Sequence, residues 1–149
     1  MSDKCALAFG EVLWDVYPEK KTLGGAALNF AAHFALKGGS ARLISAVGDD
    51  TLGQQALCEI QRLSVDIRFV SVLPGRKTGR CDVTLDGNAV PKYDLIPDTA
   101  YDRIPAEGVD DTRCDVFYFG TLALREGRNT ASLRRLLARV SGLKFCDLN

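Results

Sequence analysis

Short apolar segments alternate with longer amphipathic segments along most of the chain. The apolar segments have the length and composition of buried strands. They lie at Cys5–Phe9, 41–47, 65–72, 114–119 and 144–148. Apolar residues that recur at helical spacing predict helices over residues 26–37, 51–63 and 130–140. Strands that alternate with helices predict a layered α/β fold with a mostly parallel central sheet.

A different pattern interrupts this alternation near the middle of the chain. Polar and apolar residues alternate strictly over residues 78–85, which is typical of a half-buried strand. A hairpin turn signal follows at Asp86 and Gly87, and a second extended segment covers residues 90–96. Residues 11–17 are also predicted to be extended. These three segments could therefore form a small second sheet.

The composition is that of an ordinary globular domain. The chain has 149 residues, of which 46% are hydrophobic, enough for one domain with a core. Its 19 Lys and Arg residues balance its 19 Asp and Glu residues. That balance gives no electrostatic reason to expect nucleic acid or an anionic membrane as a partner. No apolar run is long enough to cross a bilayer, and the first residues do not resemble a signal peptide, so we expect a cytoplasmic protein.

The potential metal ligands show no metal-binding spacing. The five cysteines are Cys5, Cys58, Cys81, Cys114 and Cys146. Without a Cys-x-x-Cys pair a zinc site is not expected, and we predict reduced, buried thiols that pack as small hydrophobic side chains. The only histidine, His33, has no Cys or carboxylate at metal spacing. We therefore predict no metal site in this chain.

A glycine pair opens the first predicted helix. Gly24 and Gly25 have no Cβ, so the backbone can turn tightly and approach a bound molecule. The small and polar residues that follow have fixed spacings. They continue the pattern at Ala27, Asn29, Ala31, Gly38 and Gly48. This pattern resembles the N-terminal signature of the PfkB, or ribokinase-like, carbohydrate kinases, and the likeness extends on both sides of it.

The resemblance implies a fold and an extent. It implies a ribokinase-like layered fold in which segments of about 11–22 and 78–97 form a β-sheet lid over the sugar. The whole chain corresponds to about the first half of a family member. The last residues, 144–149, stop inside a predicted strand, and a domain seldom leaves a strand unpaired there. We therefore expect the N-terminal part of one longer domain, either truncated or cleaved.

The resemblance also assigns sugar contacts. Asp15 lies where the first strand of the family leads into the lid, and its carboxylate could accept hydrogen bonds from neighbouring hydroxyls. Gly24, Gly25 and Asn29 are similarly interpreted as sugar contacts. From the residues alone, Asp15 could instead be a solvated Asp before a turn, and Asn29 could bond its own backbone.

Two arginines are further candidates for substrate contact. Arg80 lies on the polar face of a predicted lid strand, although an exposed strand arginine is the commoner case. Arg125 closes a segment that resembles the one after the family's central strand, near the edge where α/β proteins bind ligands.

Two acidic residues have structural interpretations. Asp50 is placed to cap the helix that begins at Thr51, and Glu11 either supports Asp15 or is simply exposed.

The resemblance places the phosphate side of the cleft at the end of the chain. Asp147 and Asn149 match the start of a family segment that lines the cleft near the transferred phosphate. The family's catalytic Asp lies in a Gly-Ala-Gly-Asp segment that this sequence lacks, so no catalytic residue is assigned here. ATP and Mg²⁺ are expected cofactors of the full-length protein, and this chain alone is expected to be inactive.

Three functions are compatible with these observations. The first is the substrate-binding half of an ATP-dependent sugar kinase, most similar to the fructokinase branch. The second is a non-catalytic sugar-binding or regulatory module, and the third is a generic α/β domain that binds a partner protein. Lid strands in this family often pair across a dimer, so a homodimer with a small-molecule sugar as ligand is the expected assembly.

Overall fold

The computed structural model describes residues 4–85, 87–88 and 90–148. Asp86 of the predicted turn and the candidate Asn149 lie outside these ranges. The strands, β1 to β9 in chain order, are Cys5–Phe9, Leu13–Val16, Lys21–Gly24, Ser40–Gly48, Val65–Leu73, Gly79–Leu85, Pro91–Leu95, Val116–Gly120 and Leu143–Asp147. The helices, α1 to α3, are Ala26–Leu36, Thr51–Arg62 and Thr130–Leu137, and short 3₁₀ segments cover Ala100–Arg103 and Leu122–Leu124.

Five strands form a parallel central sheet in the order β5-β4-β1-β8-β9. Its strands coincide with the five apolar segments of the sequence. β1, β4 and β8 are largely buried, as expected of strands covered on both faces, whereas β9 lies at the edge and is mostly exposed. The predicted α/β fold with a mostly parallel central sheet is confirmed.

A second, mixed sheet has the strand order β3-β2-β6-β7. β2 pairs with β6 in parallel, whereas β3 and β7 are antiparallel to their neighbours. The sequence pattern predicted three of these strands, β2, β6 and β7, and did not identify β3. β3 escaped prediction because Lys21 and Thr22 are polar and exposed, so it lacks the apolar residues by which a strand is recognised.

Two apolar clusters lie on opposite faces of the central sheet. One contains Phe9 and Phe117 together with Leu133 and Leu136 of α3. The other lies under α1 and α2 and contains Leu28, Leu43 and Ile60. The second sheet joins both clusters, since Leu13 packs into the first and Trp14 into the second.

The second sheet is also tied to α2 by a hydrogen bond. Trp14 of β2 donates its indole N–H to the carbonyl oxygen of Leu52 at 3.0 Å. The ammonium group of Lys21 lies 4.8 Å from the centre of the Trp14 ring. The side chain of Trp14 is therefore held between β3 and the first turn of α2.

The cysteines depart from the prediction of buried thiols. All five are free, but only Cys81 is fully buried, while Cys58 and Cys146 are exposed. Cys146 is exposed because β9 is the edge strand of the central sheet and four of its five residues are open to solvent.

No helix in the described ranges has the length and apolar character needed to span a membrane.

Candidate functional site

The candidate site lies where the carboxyl ends of β1 and β8 meet the start of α1. A Cβ on Gly10, directly after β1, would be 2.8 Å from Cβ of Ala27 and 3.9 Å from the backbone nitrogen of Gly120. The three elements therefore touch at this point. Ligands of parallel α/β sheets bind at the carboxyl ends of the strands, and the second sheet continues from the same point through Glu11 and Val12.

Asp15 lies on β2 beside this point. Its register partners are Thr22 of β3 and Cys81 of β6. A Cβ on Gly24 would be 3.1 Å from Oδ2 of Asp15, so the carboxylate lies directly over Gly24. Burial raises the pKa of Asp15. No side-chain hydrogen bond reaches the Asp15 carboxylate from the described residues, which leaves its oxygens available to a ligand.

Gly24 and Gly25, the glycine turn, connect β3 to α1. Gly25 has φ of +118°, a conformation that side chains of L-residues rarely adopt. A Cβ at Gly25 would also overlap the carbonyl oxygen of Glu11. The carbonyl oxygen of Gly25 accepts a hydrogen bond from the backbone N–H of Asn29 at 2.9 Å. The turn therefore requires glycine for its backbone angle and for its contact with Glu11.

Glu11 is buried beneath the glycine turn, with 1% of its surface exposed. Its Oε1 accepts a hydrogen bond from the backbone N–H of Ala26 at 2.6 Å, and Oε2 has no partner among the described residues. Burial is the main cause of its raised pKa, and the charge of Asp147 contributes. The expectation that Glu11 is exposed is wrong, because α1 encloses it.

Asn29 lies on the outer side of α1. Its side chain is exposed and lines a groove with Leu23, His33 and Leu63. Asp15 and Gly25 do not line this groove. Asn29 therefore remains a predicted sugar contact.

Arg80 lies on the opposite face of the second sheet from Asp15. It is the register partner of Trp14, and neighbouring residues of a strand point to opposite faces. Arg80 donates to Oδ1 of Asp82 at 2.6 Å. Its assignment as a sugar contact remains a prediction, with a position that separates it from Asp15.

Arg125 is held by an internal ion pair. Its guanidinium donates to both carboxylate oxygens of Asp102, at 3.0 and 2.9 Å, and to the carbonyl oxygen of Ile96 at 2.8 Å. It also lies 5.0 Å from the centre of the Tyr101 ring. The Asp102 side chain is completely buried, so Arg125 compensates a buried charge, and its predicted role with substrate is not tested by this arrangement.

Asp147 lies at the carboxyl end of β9. It accepts a hydrogen bond from the hydroxyl of Tyr118 at 2.6 Å. The Tyr118 ring is stacked between Phe30 of α1, with ring centres 4.4 Å apart, and Phe145 of β9, at 5.8 Å. Asp147 pairs with Gly120 at the end of β8, and its charge contributes to the raised pKa of Glu11. Its assignment to the phosphate side of the cleft stays a prediction.

Within the described ranges, no three His, Cys, Asp or Glu side chains are grouped so that they could hold a metal ion.

Comparisons with known proteins agree with this architecture. The model of the pfkB family carbohydrate kinases matches residues 2–98. An uncharacterized sugar kinase of Pyrococcus horikoshii is 27% identical over 133 residues, which cover 87% of this chain and 43% of that protein. Its crystal structure has a TM-score of 0.84 at 26% identity and covers 97% of this chain and 55% of that one.

A second relative shows the shared fold alone. The apo fructokinase of Vibrio cholerae O395 has a TM-score of 0.85 at 20% identity, over 99% of this chain and 54% of that one. The chain thus spans about half the length of these relatives. Since the family model matches well over half of the chain and the ribokinase-like fold agrees with it, the chain belongs to the pfkB family of carbohydrate kinases.

Proposed function

We propose that this chain forms the substrate-binding part of an ATP-dependent sugar kinase of fructokinase type. The observation that carries the proposal is the position of Asp15, whose carboxylate lies over Gly24 without a side-chain hydrogen bond. A carboxylate can accept hydrogen bonds from two neighbouring hydroxyls, and such charge-assisted bonds are the stronger kind. The backbone of the glycine turn provides a surface without side chains against which a sugar ring can lie.

The substrate and the phosphate donor are taken from named relatives. One structure of the Vibrio cholerae fructokinase contains fructose, ADP and calcium ion, and one of the Pyrococcus horikoshii sugar kinase contains ATP. Fructose and ATP are therefore the first compounds to test. Mg²⁺ belongs to the proposal for the whole protein, and since the described residues group no metal ligands, no step is assigned to it here.

The second sheet is proposed as the lid over the sugar. Asp15 projects from the face that also carries Leu13 and Cys81, toward the central sheet. Among the described residues, no further strand pairs with the outer edges of the second sheet, which are formed by β3 and β7. A homodimer through these strands is proposed on that ground. Sedimentation velocity tests it: a single monomeric species across micromolar concentrations would contradict the dimer.

The binding proposal is tested by calorimetric titration of the chain with fructose. We expect Asp15→Asn to weaken binding at least about tenfold, because the amide replaces a charged acceptor. Asp94→Asn is the matched control, since Asp94 pairs with Asp82 on the other face of the same sheet, and it should bind like the unaltered chain. Equal affinity in all three proteins would refute the assignment of Asp15.

A non-catalytic sugar-binding module is the alternative function. It rests on one observation, which is that Asp15 and the glycine turn, the proposed sugar surface, lie together within this chain. Both functions predict sugar binding and no turnover by this chain with ATP. They differ in the protein purified from its native source, where only the kinase couples fructose to ADP release.

A further inference from the structure

No side chain at the start of helix α1 caps its first turn. Its N-cap residue is Gly25, which has no side chain, and its first turn contains no acidic residue. The first backbone N–H groups of a helix have no acceptor within the helix. Helix α2 differs, because its N-cap residue Asp50 accepts a hydrogen bond from the N–H of Gly53 at 2.8 Å.

Glu11 provides the missing acceptor from a distant part of the chain. Its Oε1 accepts from the N–H of Ala26, which lies 15 residues later. The Glu11 carbonyl oxygen occupies the space that a Cβ of Gly25 would need. One residue therefore fixes the glycine turn both by its backbone and by its side chain.

The surroundings of Glu11 are unfavourable for a carboxylate. The titratable groups that influence it electrostatically are Asp147 of β9, Tyr118 of β8 and Tyr101 of the first 3₁₀ segment, and none is a cation. Oε2 is buried without a partner. A buried acceptor without a hydrogen bond destabilises the folded chain. A charged carboxylate is therefore costly at this position.

We propose that Glu11 is a positioning residue for sugar binding, which holds the glycine turn at the place where Gly24 faces Asp15. This inference rests on the proposed function, because the positioned turn is the proposed sugar surface. The connection is direct: Glu11 bonds Ala26, Ala26 follows Gly25, and Gly24 lies under the Asp15 carboxylate. Glu11 itself is too deeply buried to touch the sugar.

Three variants of Glu11 separate the effect of side-chain length from the effect of charge. Glu11→Gln keeps the length and the carbonyl acceptor, Glu11→Asp keeps the charge but is one methylene too short, and Glu11→Ala removes both. Asp50→Ala is the matched control, because it removes the carboxylate cap of the other helix. Circular dichroism identifies the folded variants, and if Glu11→Ala does not fold, the Gln and Asp variants carry the comparison.

Two quantities are measured in each variant, the amide hydrogen exchange of Ala26 and the affinity for fructose. Glu11→Gln should leave both close to the unaltered chain. In Glu11→Asp and Glu11→Ala, Ala26 should exchange at least about tenfold faster and fructose should bind about tenfold more weakly. Asp50→Ala should leave the affinity for fructose unchanged, and Ala26 should exchange faster in it only by the factor that its lower unfolding free energy predicts.

The outcomes distinguish this proposal from the proposed function. If the unaltered chain binds no fructose, the proposed function fails for this sugar, and Ala26 exchange alone decides whether Glu11 fixes the turn. If Glu11→Asp retains both the affinity and the slow exchange, Glu11 is not a positioning residue. Loss of affinity in Glu11→Gln equal to that in Glu11→Ala would also overturn it, since reach would then be irrelevant.

Discussion

The two junctions at which a glycine-containing turn enters a helix are built in opposite ways. At the start of α2, Asp50 accepts hydrogen bonds from Gly53 N–H, Thr78 N–H and the Thr78 hydroxyl. At the start of α1, the cap comes from Glu11, and one of its oxygens has no partner. The first junction is saturated and holds structure together. The second leaves one buried carboxylate oxygen without a partner among the described residues, beneath a turn that carries no side chains.

The pKa values of the two capping carboxylates are also shifted in opposite directions. Burial opposes the charge of Asp50, but hydrogen bonds from Thr78 and Gly53 outweigh it and lower the pKa of Asp50 below 3.8. At Glu11 the backbone hydrogen bonds do not outweigh burial, so the pKa of Glu11 is raised above 4.5. A saturated carboxylate thus contributes to stability when charged, whereas an unsaturated one costs stability when charged.

The largest expected effect comes from Gly25→Ala. Its φ of +118° and the overlap with the Glu11 carbonyl together predict a loss of about 2–4 kcal/mol of unfolding free energy. Gly38→Ala is the matched control: its φ is +87° but nothing lies within 4 Å of a Cβ there, so about 1 kcal/mol is expected. Urea unfolding of both variants measures the difference. Equal losses would show that the contact with Glu11 contributes nothing.

Asp50→Ala should cost about 2 kcal/mol of unfolding free energy, because it removes a helix cap and leaves Thr78 without its acceptor. Since the folded pKa of Asp50 is lowered, its stabilisation is present above pH 3.8 and is lost as the pH falls through the lowered pKa. Denaturant unfolding at several pH values checks this. An unfolding free energy of Asp50→Ala that falls with acid as steeply as that of the unaltered chain would contradict it.

Glu11→Gln should show the opposite pH dependence. The raised pKa of Glu11 means that the unaltered chain loses stability as the pH rises from 4.5 through the raised value. The amide does not titrate, so the difference in unfolding free energy should grow in favour of Glu11→Gln over that window. We expect this gain to be smaller than the loss in Asp50→Ala. A difference that is constant with pH would mean that Glu11 does not titrate there.

Asp15→Asn should have the smallest effect on stability, within about 0.5 kcal/mol, because no hydrogen bond within the described residues depends on that carboxylate. This sharpens the contrast with Asp50, a carboxylate of the same chemistry with three donors. Thermal unfolding of the two variants side by side measures it. A loss in Asp15→Asn as large as that in Asp50→Ala would assign Asp15 a structural role in place of a binding role.

Sequence patterns predicted the features that are local in the chain. Asp50 was identified as a cap because its donor, Gly53, lies three residues later. The strands β1, β4 and β8 were found because they are largely buried and therefore apolar. The glycine signature identified the family, which the comparisons confirm.

Features that depend on distant contacts could not be predicted. The role of Glu11 depends on a hydrogen bond to Ala26, 15 residues later in the chain. The only local sign of it is that Gly25, the N-cap residue of α1, has no side chain to cap the helix. The ion pair between Arg125 and the buried Asp102 joins residues 23 positions apart, which no local pattern encodes. The substrate contacts assigned to Asn29, Arg80 and Arg125 stay predictions.

The chain contains one tryptophan, and its position makes it an intrinsic fluorescence probe of the second sheet. Trp14 is adjacent to Asp15 on β2 and bonded to Leu52 of α2. Any displacement of the second sheet relative to α2 must change the polarity around this indole, and with it the wavelength and intensity of its emission. Fluorescence can therefore test in real time whether the proposed lid closes over a sugar, without a label or an engineered residue.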